Sequence, residues 1–260
     1  MVSKPFIPTN RDLPDSHFRR IIDGLLNLIF PDACFLCAAP VARSRDCGIC
    51  SFCWEKILAL RIVPPCCPSC GLPLPNFEEG SNHLCVSCIQ QSPPYSGARS
   101  FGHYSAEVRQ VIHGLKFDGR RNLAGLLAPL LASVFFDVWD RSDFDYIAAV
   151  PLHPKRRRER GFNQSELLAQ ELAQCIAIPY LKALKRVRYT PPQVGLTDSQ
   201  RRENIRYAFR CNTPQQISRR RILLVDDVMT TGATIAGAAQ TLIEAGAGSV
   251  SVLTAARAVR

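Results

Sequence analysis

Residues Arg221 to Thr234, RILLVDDVMTTGAT, carry the densest chemistry in the chain. Two adjacent carboxylates, Asp226 and Asp227, can accept hydrogen bonds from sugar hydroxyls. Thr230, Thr231, Gly232, Ala233 and Thr234 are small enough for backbone N–H groups to close on an anion. Something must hold these groups in place. Ile222 to Val225 is an unbroken apolar run of strand length, suited to a strand covered on both faces of a parallel sheet, and the acids follow at its carboxyl end. Beyond the threonines, IAGAAQTLIEAG has helical spacing, so the loop lies on a helix N-terminus, where free N–H groups and the positive end of the helix dipole favour phosphate. An Asp pair alone would read as a cap for the next helix. Strand, acid pair, small hydroxyl-rich loop and helix in this order describe a site for ribose 5-phosphate.

A second strand, Tyr146 to Val150, runs into a turn at Pro151 to Pro154, and Ser165 opens a helix rich in Leu, Ala and Glu. Lys155, Arg156, Arg157, Arg158 and Arg160 lie in the loop between them. A charge run taken alone is most often a solvated face. If the two strands are neighbours in a parallel sheet, both loops emerge at the same carboxyl edge, where ligands of open α/β sheets bind. A basic loop beside a phosphate loop suits a diphosphate leaving group, whose departing charge fixed donors and Mg²⁺ would stabilise. Arg186 to Phe209 is long and broken by Pro191, Pro192 and Gly195, and is expected to be a lid ending in an extended RYAF.

The cysteines carry a different chemistry. Cys34, Cys37, Cys50 and Cys53 form one pair of CxxC motifs, and Cys67, Cys70, Cys85 and Cys88 form another. Two intervening residues let a tight knuckle point both thiolates at one ion, and two knuckles complete a tetrahedral site that zinc fills without redox chemistry. Four ligands leave no open position, so two structural zinc ions are expected. Cys47 and Cys66 lie close enough to replace a neighbour as ligand, and the spacing leaves a crossed pairing of the knuckles open. Trp54, Phe77 and the PLPLP segment are expected to pack around the metals.

The remaining features set bounds. A chain of 260 residues with 47% hydrophobic and 21% charged residues fits a soluble globular protein of one large or two modest domains. No apolar stretch reaches the length of a membrane span, no export signal is evident, and clustered CxxC pairs suit a reducing compartment; the expected location is the cytoplasm. The net charge of +10 favours anionic partners without choosing among them. The expected organisation is a tail and an amphipathic helix over 1–33, a cysteine-rich region over 34–93 and a larger domain over 94–260. The helix is read over His17 to Phe30 and assigned to packing on its own domain. In the larger domain, helical patterns cover roughly Ala106 to Phe117 and Asn122 to Phe136. Arg109, Lys116, Arg120 and Arg121 are read as solvated helix faces, with Lys116 the one to watch, and His103 and His113 as ordinary polar side chains.

The segment around Asp226 resembles the phosphoribosyltransferases of type I fold. That implies an α/β architecture, an open and mostly parallel sheet with helices on both faces, here preceded by a small zinc-ribbon-like cysteine-rich domain. The combination of paired CxxC motifs, VPLHPKRRRERGFNQSELLAQELA, TPPQVGLTDSQRRENIRYAF and RILLVDDVMTTGATI is similar to the ComF/GntX family of phosphoribosyltransferase-like proteins. The similarity runs from about Cys34 to the C-terminus. It implies binding of 5-phosphoribosyl 1-diphosphate with Mg²⁺ and a link to DNA uptake or the use of external DNA. By the same resemblance Asp226 and Asp227 hold the ribose hydroxyls, and Val228, Met229, Thr230, Thr231, Gly232, Ala233 and Thr234 surround the 5′-phosphate. Pro151, Leu152, His153 and Arg160 face the diphosphate, while Gln193, Arg201 and Asn204 belong to a mobile loop. Loss of diphosphate leaves an oxocarbenium-like C1, so catalysis by Asp226, Asp227 and Arg160 would come from positioning and charge rather than from a nucleophile. Members are often labelled amidophosphoribosyltransferases; with Val2 after Met1, no N-terminal cysteine nucleophile for glutamine use is expected. The alternative reading is a non-catalytic module that binds single-stranded nucleic acid among DNA-uptake proteins, although aromatic residues do not alternate with the basic ones in the sequence.

Overall fold

The computed structural model describes residues 32–41, 48–75, 82–189 and 207–259. The helix expected over His17 to Phe30, Cys47, Phe77 and the loop residues Gln193, Arg201 and Asn204 lie outside them. The chain forms two compact units, Met1–Ala59 and Leu60–Arg260. The second cysteine set thus belongs to the larger unit, whereas composition places the division after residue 93. The cause is packing: Cys67, Cys70, Cys85 and Cys88 are buried in the same core cluster as Ala98, Val250 and Val252.

In the first unit, β1 (Asp32–Ala33) and β2 (Pro40–Val41) pair antiparallel, and α1 (Ser51–Ala59) follows. In the second, α2 (Val86–Gln90) precedes β3 (Gly97–His103), α3 (Ala106–Phe117) and α4 (Leu123–Val138). Next come β4 (Tyr146–Ala149), α5 (Pro154–Arg160), α6 (Gln164–Ile176) and β5 (Leu184–Arg186). The unit closes with β6 (Phe209–Cys211), α7 (Pro214–Ile217), β7 (Arg221–Met229), α8 (Ala233–Glu244) and β8 (Ser249–Arg257).

Four strands make one parallel sheet in the order β3-β8-β7-β4. The apolar run of β7 sits in its middle, and Ile222, Leu223, Leu224 and Val225 are each 0% exposed, as a strand covered on both faces requires. Successive side chains point to opposite faces. Ile222 and Leu224 share a core with Ala238, Ala239 and Leu242 of α8, while α6, packed on α4, lies against β4 and β7. β7 is longer than its apolar run: the acid pair lies within the strand, because β8 continues beside it with Asp226 opposite Thr254 and Val228 opposite Ala256. β5 and β6 form a separate antiparallel pair that brackets residues 187–208.

The basic run is not a loop. Pro154 occupies the first turn of α5, His153 Nδ1 accepts a hydrogen bond from the Lys155 N–H at 3.2 Å, and Gly161 ends the helix at φ 81°. A proline that presets φ and a glycine that tolerates the left-handed region convert the charge run into a short helix. Its residues therefore fall on different faces.

Candidate functional site

Each cysteine set converges. The four thiol sulfurs of Cys34, Cys37, Cys50 and Cys53 lie within 4.8 Å of one another, and so do those of Cys67, Cys70, Cys85 and Cys88. Cys37 Sγ and Cys50 Sγ are 3.6 Å apart, as are Cys70 Sγ and Cys85 Sγ. Tetrahedral zinc, with bonds of about 2.3 Å, separates its thiolates by about 3.8 Å. Backbone N–H groups of Cys50 and Cys85 point at Cys34 Sγ and Cys67 Sγ, at 3.3 and 3.4 Å, and would stabilise thiolates. The pairing of knuckles is sequential, not crossed. Cys66 stays outside the second set; its thiol donates to the Val63 carbonyl.

The two sets differ in surroundings. Cys37 is exposed in the first, whereas all four cysteines of the second are buried. Leu72 and Leu74 of the proline-rich segment pack against the core cluster that contains the second set, but most of that core comes from the sheet and α8. Gly71, at φ 67°, brings that knuckle onto β3 so closely that a Cβ would stand 2.4 Å from the Ala98 carbonyl oxygen. Arg257, at the end of β8, is buried and donates to the Cys70 carbonyl at 3.2 Å, with its other terminal nitrogen 3.7 Å from Cys70 Sγ. A zinc ion with four thiolates carries two negative charges, and a buried guanidinium beside it offsets part of them.

At the carboxyl ends of β4 and β7 lies a cleft of about 210 Å³. Its floor is the acid pair. Asp226 Oδ1 accepts from Ser165 Oγ at 2.7 Å and from the Asp227 N–H at 2.9 Å. Burial, then the neighbouring Asp227 charge, pushes the Asp226 carboxyl up to about 7. Asp227 Oδ2 is 2.9 Å from Lys116 Nζ, in the last turn of α3, yet buried without an aligned hydrogen bond. The pairing is electrostatic and the oxygen keeps its accepting capacity.

One wall is the loop from Val228 to Thr234. Gly232 caps α8 at φ 79°, and Thr230, Gly232, Ala233 and Thr234 line the cleft together with Val228 and Met229. Thr231 does not appear in that wall; its Oγ1 is buried with no hydrogen-bond partner among the described residues. Free hydroxyls and a 12-residue helix opening on the cleft form a cradle for an anion. Pro151 and Leu152 line the opposite wall, and His153 is occupied as the cap of α5.

Cations surround the rest. Helical spacing turns only Arg156 and Arg160 inward, while Lys155, Arg157 and Arg158 are exposed. Arg156 and Arg186 line the cleft, Arg186 over the Phe209 ring at 5.4 Å. Arg160 donates to Gln164 Oε1 and lies 5.0 Å from the Phe117 ring. Burial lowers the basicity of Arg160 and Arg186, and Asp227 and Asp226 respectively oppose that shift. Sequence reasoning left Lys116 on a solvated face and gave no role to Arg186, Gln164 or Ser165. Only the GFNQS stretch held a signal: Gly161 ends α5, Asn163 caps α6, and the next two side chains reach Arg160 and Asp226.

This fold and cleft define a phosphoribosyltransferase-type α/β domain, and the cysteine sets define zinc ribbons. Family models agree: residues 25–89 match the double zinc ribbon domain and residues 163–258 the phosphoribosyl transferase domain. The chain is 37% identical over 230 residues to DNA utilization protein YhgH of Escherichia coli O157:H7, covering 86% of this chain and 96% of the relative. It is 32% identical over 230 residues to competence protein F of Haemophilus influenzae, with the same coverage, and 28% identical over 222 residues to competence protein ComFC of Bacillus subtilis, covering 80% and 84%. The chain belongs to the ComF/GntX family, with these proteins as its relatives. Among the described residues no helix is long and apolar enough to cross a membrane.

Proposed function

We propose that the cleft binds 5-phosphoribosyl 1-diphosphate together with Mg²⁺, and that the protein is a cytoplasmic phosphoribosyltransferase serving the use or uptake of external DNA. The observation that carries this reading is a buried acid pair beside a hydroxyl-bearing cradle, within a wall of cations. Asp226 and Asp227 accept the ribose hydroxyls. Thr230 and Thr234, with the N–H groups that open α8, hold the 5′-phosphate. Arg156, Arg160 and Arg186 face the diphosphate. The hard carboxylate oxygens and the anionic ligand fit Mg²⁺, which when bound would neutralise charge on the diphosphate. The names of the relatives support the connection with DNA.

Calorimetric titration of the zinc-loaded protein with 5-phosphoribosyl 1-diphosphate and Mg²⁺ tests the site. Saturable binding is expected, and the double variant Asp226→Asn/Asp227→Asn should lose it with unchanged circular dichroism. Unaltered affinity in that variant would sink the assignment. Diphosphate release on adding candidate acceptors then tests turnover.

One observation favours a second reading as a binder of single-stranded nucleic acid. Tyr189, distant in sequence from the basic run, is exposed beside it: Lys155 Nζ is 5.1 Å from the ring centroid, Arg156 5.9 Å, and the His153 ring 5.2 Å away in a T-shaped contact. A ring among cations can stack a base while the cations hold phosphates. Salt-dependent binding of an oligonucleotide, weakened by Tyr189→Ala, is the expected signature; affinity unaffected by salt or by that substitution removes this reading.

A further inference from the structure

Lys116 is the cation that already occupies the acid pair. Its side chain is 21% exposed at the cleft wall, and its ammonium stands 2.9 Å from Asp227 Oδ2, whose side chain is 6% exposed. A ligand whose hydroxyls approach Asp227 Oδ2 from the cleft competes with the ammonium for that oxygen and can displace it. The displaced charge then needs another anion. Among the described residues that line the cleft, the carboxylates are Asp226 and Asp227, and the other charged side chains are Arg156 and Arg186. Arg160, just outside, adds a further cation near Asp227. Asp226, which also feels the Lys116 charge, is taken by the sugar hydroxyls as well in this reading, so the described residues lining the cleft offer Lys116 no further carboxylate, and pushing the ammonium toward the two arginines is repulsive. Only a ligand that brings its own anion close to the sugar hydroxyls can restore the lost pair.

Resting on the reading of the cleft as a sugar-phosphate site, we propose that Lys116 is a specificity-determining residue. It excludes ribose phosphates without a second anion and admits those carrying a diphosphate, turning from Asp227 to the diphosphate oxygens when the sugar hydroxyls bind Asp227. The lysine side chain suits this exchange: a compact ammonium on a flexible four-carbon stem, with three rotatable donors. The anchorage of α3 also suits it, since Val108, Val111, Ile112 and Leu115 are buried and keep the base of the side chain still while its end moves.

The test compares two ligands on the zinc-loaded full chain at one Mg²⁺ concentration: ribose 5-phosphate, which has the hydroxyls and one phosphate, and 5-phosphoribosyl 1-diphosphate. Lys116→Met should bind ribose 5-phosphate about threefold or more tightly than the wild type, because the resident competitor is gone. It should bind 5-phosphoribosyl 1-diphosphate about tenfold more weakly, because the partner of the diphosphate is gone. Lys116→Arg should keep the wild-type order of preference. Opposite signs for the two ligands are the signature, since a purely structural lysine would weaken both. Wild-type protein that binds neither ligand overturns the reading of the cleft and the role of Lys116 with it. Wild-type binding of the diphosphate, with both ligands weakened alike by Lys116→Met, overturns the role of Lys116 alone.

Discussion

The Ser165 hydroxyl, at the start of α6, donates a 2.7 Å hydrogen bond to Asp226 on β7, 61 residues further along the chain. Asn163 places that serine. Its side-chain oxygen accepts from the Ser165 N–H at 3.2 Å, and its amide donates to the Val150 carbonyl at the end of β4. Neighbouring strands of the sheet thus orient one carboxylate through a single helix cap.

Ser165→Ala should lower stability by about 1.5–3 kcal/mol at pH 8, the range for a hydrogen bond to a charged acceptor. The loss should be smaller at pH 5, where Asp226 is mostly protonated. Denaturant unfolding at the two pH values checks this.

Asp226→Asn should raise the thermal midpoint at pH 8, and raise it less at pH 5. The native-state pKa of Asp226 is raised to about 7 from an ordinary 3.8, first by burial and then by Asp227. A raised carboxyl pKa contributes stability that is present below the unfolded value and lost as pH rises through the folded one. Asparagine keeps an oxygen for Ser165 and the Asp227 N–H without that cost. A gain of about 2–4 °C, corresponding to about 1 kcal/mol in a chain of this size, is expected by scanning calorimetry. A loss at pH 8 would show that the carboxylate is stabilising.

Arg257→Met should leave the first zinc site intact and speed release from the second. It removes the donor to the Cys70 carbonyl and the buried positive charge beside that thiolate set. Elemental analysis should find two zinc ions per wild-type chain, from the two four-cysteine sets. With a chromogenic chelator, the variant should show a faster phase equal to one ion.

Gly71→Ala should cost about 2–4 kcal/mol, because an added Cβ meets the Ala98 carbonyl oxygen at 2.4 Å and the residue holds φ 67°. Gly119→Ala is the control: it shares a φ of 67° but has nothing within 4 Å of the added carbon. The difference between the two unfolding energies measures the close approach of knuckle and strand.

Local patterns carried much of this protein. An apolar run too branched and continuous for a surface strand announced β7, and the Thr-Thr-Gly-Ala-Thr order announced a helix opening on an anion site. CxxC spacing announced two four-thiolate sites because two residues are what a knuckle needs. These features are legible since their physics lies within a few residues. Tertiary structure decided the rest. It chose sequential over crossed knuckle pairing and buried the second set in the core of the sheet. It selected Arg156 and Arg160 from five similar charges by winding them into a helix. It carried Lys116 and Ser165 to the two carboxylates across long stretches of chain, and set Tyr189 against the basic helix. Such contacts join residues whose own neighbours in sequence say nothing of them. They exist only once the parallel sheet has brought the carboxyl ends of β4 and β7 to one edge, and no local pattern encodes which distant side chain arrives there.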